Sequence, residues 1–306
     1  MKKFVTLIYI LLFVCTVNKC FAAPNIICSI KPVNSLVAAI TEGVTTPELI
    51  IPGKVSPHNF QLKPSIIKKL NNAALIIWVG QDLESSLAKV ITNHSNNTKV
   101  LTLSKIDKLV RHSIRGNGCH GHDHKHEHGH THNHNHSHDD PHLWLSIDNM
   151  IVFVETLNET LINLDKENSE TYKANTIRTV KKLEKLKLDI SSKLKHSKKS
   201  FLVLHDSLQY FEKEFQLNGK GAIKYNPSLP SSAKSIIEIS NRIKSENISC
   251  IYKEPQHSDK LINTVASTSK NIKLLKIDPL GAHLDDNQEL YFKLINNIAS
   301  KIQDCS

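Results

Sequence analysis

The sequence predicts an α/β protein of two lobes, each with a mainly parallel sheet flanked by helices, joined by one long rigid helix. Three observations carry that expectation. Short apolar runs alternate with amphipathic stretches in both halves of the chain, the pattern of parallel βαβ units. Between the halves, residues 142–218 contain neither glycine nor proline. The chain's 306 residues also suit two domains of ordinary size.

Residues 1–22 stand outside this fold. Lys2 and Lys3, the apolar run Phe4 to Val17 and the stretch Cys20-Phe21-Ala22 have the layout of a secretory signal peptide cleaved near Ala22. The apolar run is shorter than the ~20 residues a membrane span needs, so an exported, soluble protein is expected.

The N-terminal lobe is assigned to residues 23–165. "NIICSI" (25–30) reads as a first strand and "VNSLVAAITEG" as the helix after it. "ELIIP" (48–52) and "ALIIWVG" (74–80) read as further strands; "QDLESSLAKVI" is a helix and "KVLTLS" (99–104) a fourth strand. A histidine-rich loop, residues 119–140, interrupts the lobe before the helix that opens near Ile147. The linking helix is placed at 166–196, where Ile177, Val180, Leu183, Leu186, Ile190 and Leu194 recur at three- and four-residue spacing and give one apolar stripe. At nearly thirty residues it would span ~40 Å. The C-terminal lobe, 197–306, repeats the pattern with strands "FLVLH" (201–205), "ISCIYKE" (248–254) and "IKLLKID" (272–278), and closes on the helix "YFKLINNIASKIQDC".

The full chain carries a formal net charge of +10, to which the leader contributes Lys2, Lys3 and Lys19 and no acid. The remaining lysines are scattered along helical stretches without interleaved aromatics, which reads as a solvated basic surface and not a nucleic-acid site. Beyond the leader the cysteines are Cys28, Cys119, Cys250 and Cys305. In an oxidising compartment the pair expected to bridge is Cys250 with Cys305, tying the tail to a strand. Cys28 lies in an apolar run and reads as a buried thiol, and Cys119 abuts the histidine run.

Of the chain's 18 histidines, ten occupy every second position from His120 to His138. No apolar residue separates them, so the segment is expected to be disordered without metal and to offer many weak, interchangeable sites. Single histidines elsewhere carry a different signal. His205 ends "FLVLH", Asp278 ends "IKLLKID" and Glu254 ends "CIYKE", while His58 follows "LIIPGKVSP" and His142 follows "DDP". Ligand sites of open parallel sheets gather outside the carboxyl ends of strands. A lone histidine is usually structural, but three placed this way can meet in a cleft, where imidazoles suit Zn²⁺. Glu254 reads as a buried structural carboxylate.

The blocks "VSPHNFQLKPS", "DDPHLWLS", "LVLHDSLQYFEKEFQLNGKGAIKYNPS", "CIYKEPQHS" and "KIDPLGAHL" resemble, in order and over the whole mature chain, the periplasmic zinc-binding proteins of the ZnuA type. These are the substrate-binding components of zinc ABC importers, in a wider cluster that also serves manganese and iron. The resemblance implies two α/β lobes joined by a rigid helix, zinc ligands at His58, His142 and His205, and a disulfide between Cys250 and Cys305. It leaves the fourth position to Asp278 or to water, because Pro57 stands where some zinc members carry a glutamate. A histidine at 205, where manganese and iron relatives place a carboxylate, favours zinc.

The function so implied is capture of zinc in the periplasm and delivery to an ABC permease. The protein would be a monomer, not an enzyme, and would meet the membrane only through the permease. The histidine run would then be an accessory to the cleft. Two alternatives stay open: a zinc hydrolase with a three-histidine site, which lacks an H-E-x-x-H helix here, and a manganese- or iron-binding member of the cluster. Three ordinary imidazoles would make zinc affinity fall between about pH 7 and 5.

Overall fold

The computed structural model describes residues 23–93, 98–115, 139–224, 233–267 and 272–305. The leader, Cys119 and the run from His120 to His138 lie outside these residues. Two sheets of four parallel strands form the frame. In the first, β1 (Ile26–Cys28), β2 (Glu48–Leu49), β3 (Leu75–Trp78) and β4 (Lys99–Thr102) stand in the order β2-β1-β3-β4. In the second, β5 (Phe201–His205), β6 (Gly219–Lys224), β7 (Cys250–Lys253) and β8 (Lys273–Lys276) stand in the order β6-β5-β7-β8. The inner strands β1, β3, β5 and β7 are covered on both faces, which is why they read as unbroken apolar runs. The edge strand β8 is largely exposed and begins and ends with lysine, a composition that discourages pairing with another chain.

The helices α1 (Lys31–Ile40), α2 (Pro64–Asn71) and α3 (Ser85–Thr92) belong to the first sheet. α4 (Ile147–Leu164) opens with Ser146, whose hydroxyl accepts the Asn149 N–H at 3.2 Å, an N-cap. α5 (Ser169–Leu194) is the long helix, ~39 Å at 1.5 Å per residue. Its buried face runs through Leu183, Leu186, Ile190 and Leu194 as the spacing predicts, but Ile177 is 58 % exposed. Tyr172, Asn175, Thr176 and Thr179 take the buried face there instead. The reason is polar: the Asn175 amide donates to the carbonyls of Ile40 and Glu42, both at 2.9 Å, and so satisfies orphan groups at the end of α1.

The second sheet carries α6 (Gln209–Glu214), α7 (Ala233–Ser245), α8 (Lys260–Ser267) and the closing helix α9 (Leu290–Gln303). α9 crosses back to pack on α1 and α5. The Tyr291 N–H donates to Ser35 Oγ, and its hydroxyl to the Trp144 carbonyl, each at 3.0 Å. Leu36, Leu157, Leu186 and Ile295 consequently share one buried core that runs through both halves. A smaller core built on Leu202, Leu204, Ile251 and Ile262 fills the outer face of the second sheet. Cys250 and Cys305 are joined in a disulfide that pins the end of α9 to β7, and Cys28 is a buried free thiol. Among the described residues no helix is long and apolar enough to cross a membrane.

Candidate metal centre

Three segments deliver a histidine to the cleft between the sheets. His58 sits on a single 3₁₀ turn, Pro57–Asn59, that Pro57 starts with its fixed φ. His142 precedes a second 3₁₀ turn, Leu143–Leu145. His205 is the last residue of β5. Their rings lie 5.5 Å (His58–His142), 5.0 Å (His58–His205) and 4.8 Å (His142–His205) apart between centroids. One ring nitrogen from each lies within 4.8 Å of the others, and the Nε2 atoms of His58 and His142 approach to 3.4 Å.

Two of the rings are oriented by what stands behind them. Nδ1 of His142 lies 2.6 Å from Asp140 Oδ1. Nδ1 of His205 lies 3.6 Å from Glu254 Oε2. Glu254 is buried, and its other oxygen accepts the Ser207 hydroxyl at 2.8 Å. The two sides of the cleft meet above the rings. Gln256 donates to the Gly53 carbonyl at 2.8 Å, and Lys31 to the Leu284 carbonyl at 2.6 Å. A Cβ at Gly53 would stand 3.0 Å from the Ala282 backbone, so the approach needs glycine. The space lined by the three histidines, Trp144, Glu254 and His257 among others measures ≈ 10 Å³. That is about the room one water-sized particle requires.

Burial pushes the His58 imidazole down to about 2, and the neighbouring His142 and His205 rings push the same way. Burial likewise takes His142 down to about 3, with His205 adding to it. His205 is buried too, yet the Glu254 carboxylate outweighs that and holds its pKa above the ordinary value. Glu254 in turn is held below the usual range despite its burial, chiefly by His205. The centre is thus a set of imidazoles with two carboxylates, Asp140 and Glu254, behind them. Such donors suit a borderline-soft dication better than a hard one.

Asp278 is placed differently. Its Oδ2 accepts the Ala282 N–H at 2.6 Å, and its Oδ1 the Leu280 N–H and the Gln256 amide, both at 3.2 Å. It belongs to neither group of converging donors among the described residues. Two further groups escape a reading of the sequence. Asp140 is signalled only by its place two residues before His142, in "DDPH". His257, three residues after Glu254 in "EPQH", forms a second group of donors with Glu254 and His205.

The chain matches the family described as zinc-uptake complex component A, periplasmic (ZnuA), over residues 26–305. It is 36 % identical over 305 residues to a high-affinity zinc uptake system protein ZnuA from Brucella abortus, covering 92 % of this chain and 91 % of that one. A protein of the same name from Yersinia pestis is 29 % identical, with 93 % and 92 % covered. Among solved structures, a crystal structure of ZnuA superposes with a TM-score of 0.76 at 21 % identity, covering 92 % of this chain and 99 % of the other. A manganese-bound periplasmic metal binding protein from Candidatus Liberibacter asiaticus gives 0.72 at 19 % identity, with 92 % and 100 % covered. At these identities the superpositions speak for the fold alone.

Proposed function

The chain belongs to the periplasmic zinc-uptake component A family, and from that premise we propose that His58, His142 and His205 hold the one Zn²⁺ it captures and delivers to an ABC permease. The family is one of solute-binding proteins, and zinc is cargo here. The observation that carries the reading is the convergence of three ring nitrogens from distant segments within 4.8 Å. Movements of about an ångström would bring each to the 2.0–2.1 Å of a Zn–N bond. We assign the fourth position to water and not to Asp278, whose oxygens are engaged by Leu280, Ala282 and Gln256.

On this reading residues 23–165 and 197–306 are the two lobes that close on the ion about the helix at 166–196. The protein is exported by cleavage near Ala22, acts as a monomer in the periplasm and meets the membrane through the permease. Three histidines and a water also describe a catalytic zinc. The ≈ 10 Å³ between the three rings is room for an ion with a water, which supports capture over hydrolysis. The donor set favours zinc over manganese or iron, since among the described residues no carboxylate joins the three imidazoles.

The test is zinc titration against a competing chelator. The His58→Ala, His142→Ala and His205→Ala variants should each lose the tightest binding step of the parent. Retention of that step in all three would refute the assignment.

A further inference from the structure

His205 belongs to two donor groups at once. Besides the cleft histidines, it lies with Glu254 and His257 in a second set whose ligand atoms are all within 4.8 Å of one another. Glu254 follows β7, and His257 lies one turn on, its N–H donating to the Glu254 carbonyl at 3.2 Å. Glu254 Oε2 is 3.6 Å from His205 Nδ1 and 3.7 Å from His257 Nε2, and the two rings stand 5.3 Å apart. Glu254 alone suffices to orient His205. A second imidazole aimed at the same carboxylate oxygen adds nothing to that task but completes an N, O, N set of the kind zinc accepts.

The place of this set in the molecule gives it a use. Glu254 and His257 line the small space around the three histidines and also an adjoining cavity of ≈ 630 Å³, which reaches Asp259, Asp278 and His283. They form the wall between the two. We propose that His205, Glu254 and His257 make a second zinc position, through which the ion passes between the three-histidine centre and the larger cavity. The inference rests on the assignment of zinc to His58, His142 and His205. Moving from one position to the other exchanges two imidazoles for one imidazole and one carboxylate, with His205 common to both, so the coordination number is preserved. The positions are exclusive, because a neutral imidazole has one lone pair and His205 serves one ion at a time.

Two experiments on the full chain test this. Crystals of His58→Ala/His142→Ala grown with zinc should show an anomalous peak at bonding distance from His205, Glu254 and His257, lost when His257→Phe is added. In the second, protein loaded with one equivalent of zinc releases it to a chelator, and His257→Phe should slow release about tenfold, the effect of removing a stepping stone worth one decade in rate. A merely structural role for His257 predicts unchanged or faster release. No peak at the second position, or release that is not slowed, overturns the proposal. The release measurement decides alone if the double variant does not fold. A parent crystal with no zinc among His58, His142 and His205 would instead remove the premise.

Discussion

Oδ1 of Asp140 accepts both the ring Nδ1–H of His142 at 2.6 Å and its backbone N–H at 3.0 Å. An ionised carboxylate can only accept, so the His142 proton sits on Nδ1 and the lone pair on Nε2, toward His58. Asp140 is itself fixed. Its carbonyl accepts the Tyr210 hydroxyl at 2.9 Å, and its N–H donates to the His112 carbonyl at 2.7 Å. Burial raises its pKa to about 6, which still leaves it ionised at neutral pH.

Asp140→Ala should therefore weaken zinc binding about 10- to 100-fold, the usual cost of losing the partner that orients a ligating histidine. Chelator competition reads the change, and an affinity equal to the parent's would show that Asp140 orients nothing that matters.

The pH dependence should follow a single ring proton, with the Asp140 carboxyl joining it below about pH 6. His58 and His142 have pKa values near 2 and 3, so over the working range zinc displaces no proton from either. His205, raised by Glu254, is the ring that must give one up. Affinity is then full above the His205 pKa and falls about tenfold per pH unit below it, steepening below about pH 6 as Asp140 protonates and again near pH 3. This replaces the steeper loss between pH 7 and 5 expected of three ordinary imidazoles. The metal-free fold obeys the matching sign. His58 and His142 have folded pKa values below the unfolded one, so stability is full above ~6.5 and declines as pH falls toward 3. Apparent affinity in log K should fall with a slope near one just below the His205 titration and approach two where Asp140 protonates as well, and a slope approaching three would contradict the assignment.

Much of this architecture is legible in the residues, and the gaps have physical causes. β1, β3, β5 and β7 are inner strands whose two covered faces force continuous apolar runs. β6 hides because two glycines occupy it. Gly219 stands where a Cβ would overlap the Glu212 carboxylate, and Gly221 adopts φ +86°, so sterics displace β-branched residues from that strand. The stripe on α5 misleads only at Ile177, where Asn175 is needed to satisfy the end of α1. In the cleft, His58 and His205 are marked by their places after strands, and His142 by "DDPH" at the end of the histidine run. Glu254 shares that strand-end signal but reads as structural, and Asp140 and His257 carry no such mark, because their roles depend on how the chain crosses in space. Asp278 has the same sequence signal as His205, yet its oxygens hold the backbone of its own turn.

Arg115 ties the start of the histidine-rich segment to the second half of the chain. Its guanidinium forks onto Asp206 and Glu212, both buried, with Nε to Asp206 Oδ2 at 3.1 Å and Nη2 to Glu212 Oε1 at 3.3 Å. Burial raises the Glu212 pKa, and Arg115 opposes that rise. Arg115→Ala would leave two carboxylates facing each other without a cation. The expected loss in denaturant unfolding near pH 7.5 is about 3 kcal/mol, the low end of the range for a broken buried pair because Arg115 is a quarter exposed. The deficit should shrink in acid as Glu212 protonates, since the substitution removes the cation that opposes the rise of its folded pKa. Arg115→Lys should restore only part, because an ammonium cannot fork between two partners. A deficit that did not change with pH would point to lost packing instead.

Ser113 pairs with Asp139 in an isolated antiparallel bridge, next to the hydrogen bond from Asp140 to His112. The chain therefore leaves for the histidine run and returns from it at one place, beside His142. That closure comes from residues on either side of 116–138, and the orientation of His142 depends on Asp140, Tyr210 and His112, none of which lies within the run. Replacing residues 120–138 by a short glycine-serine turn should accordingly leave one tight zinc site, with affinity within about threefold of the parent, a change of well under 1 kcal/mol. The total zinc taken up at saturating concentration should fall, because the alternating imidazoles supply the weaker sites. Calorimetry on the two proteins separates these quantities. Loss of the tight step on deletion would make the run the principal binder and the cleft histidines its support.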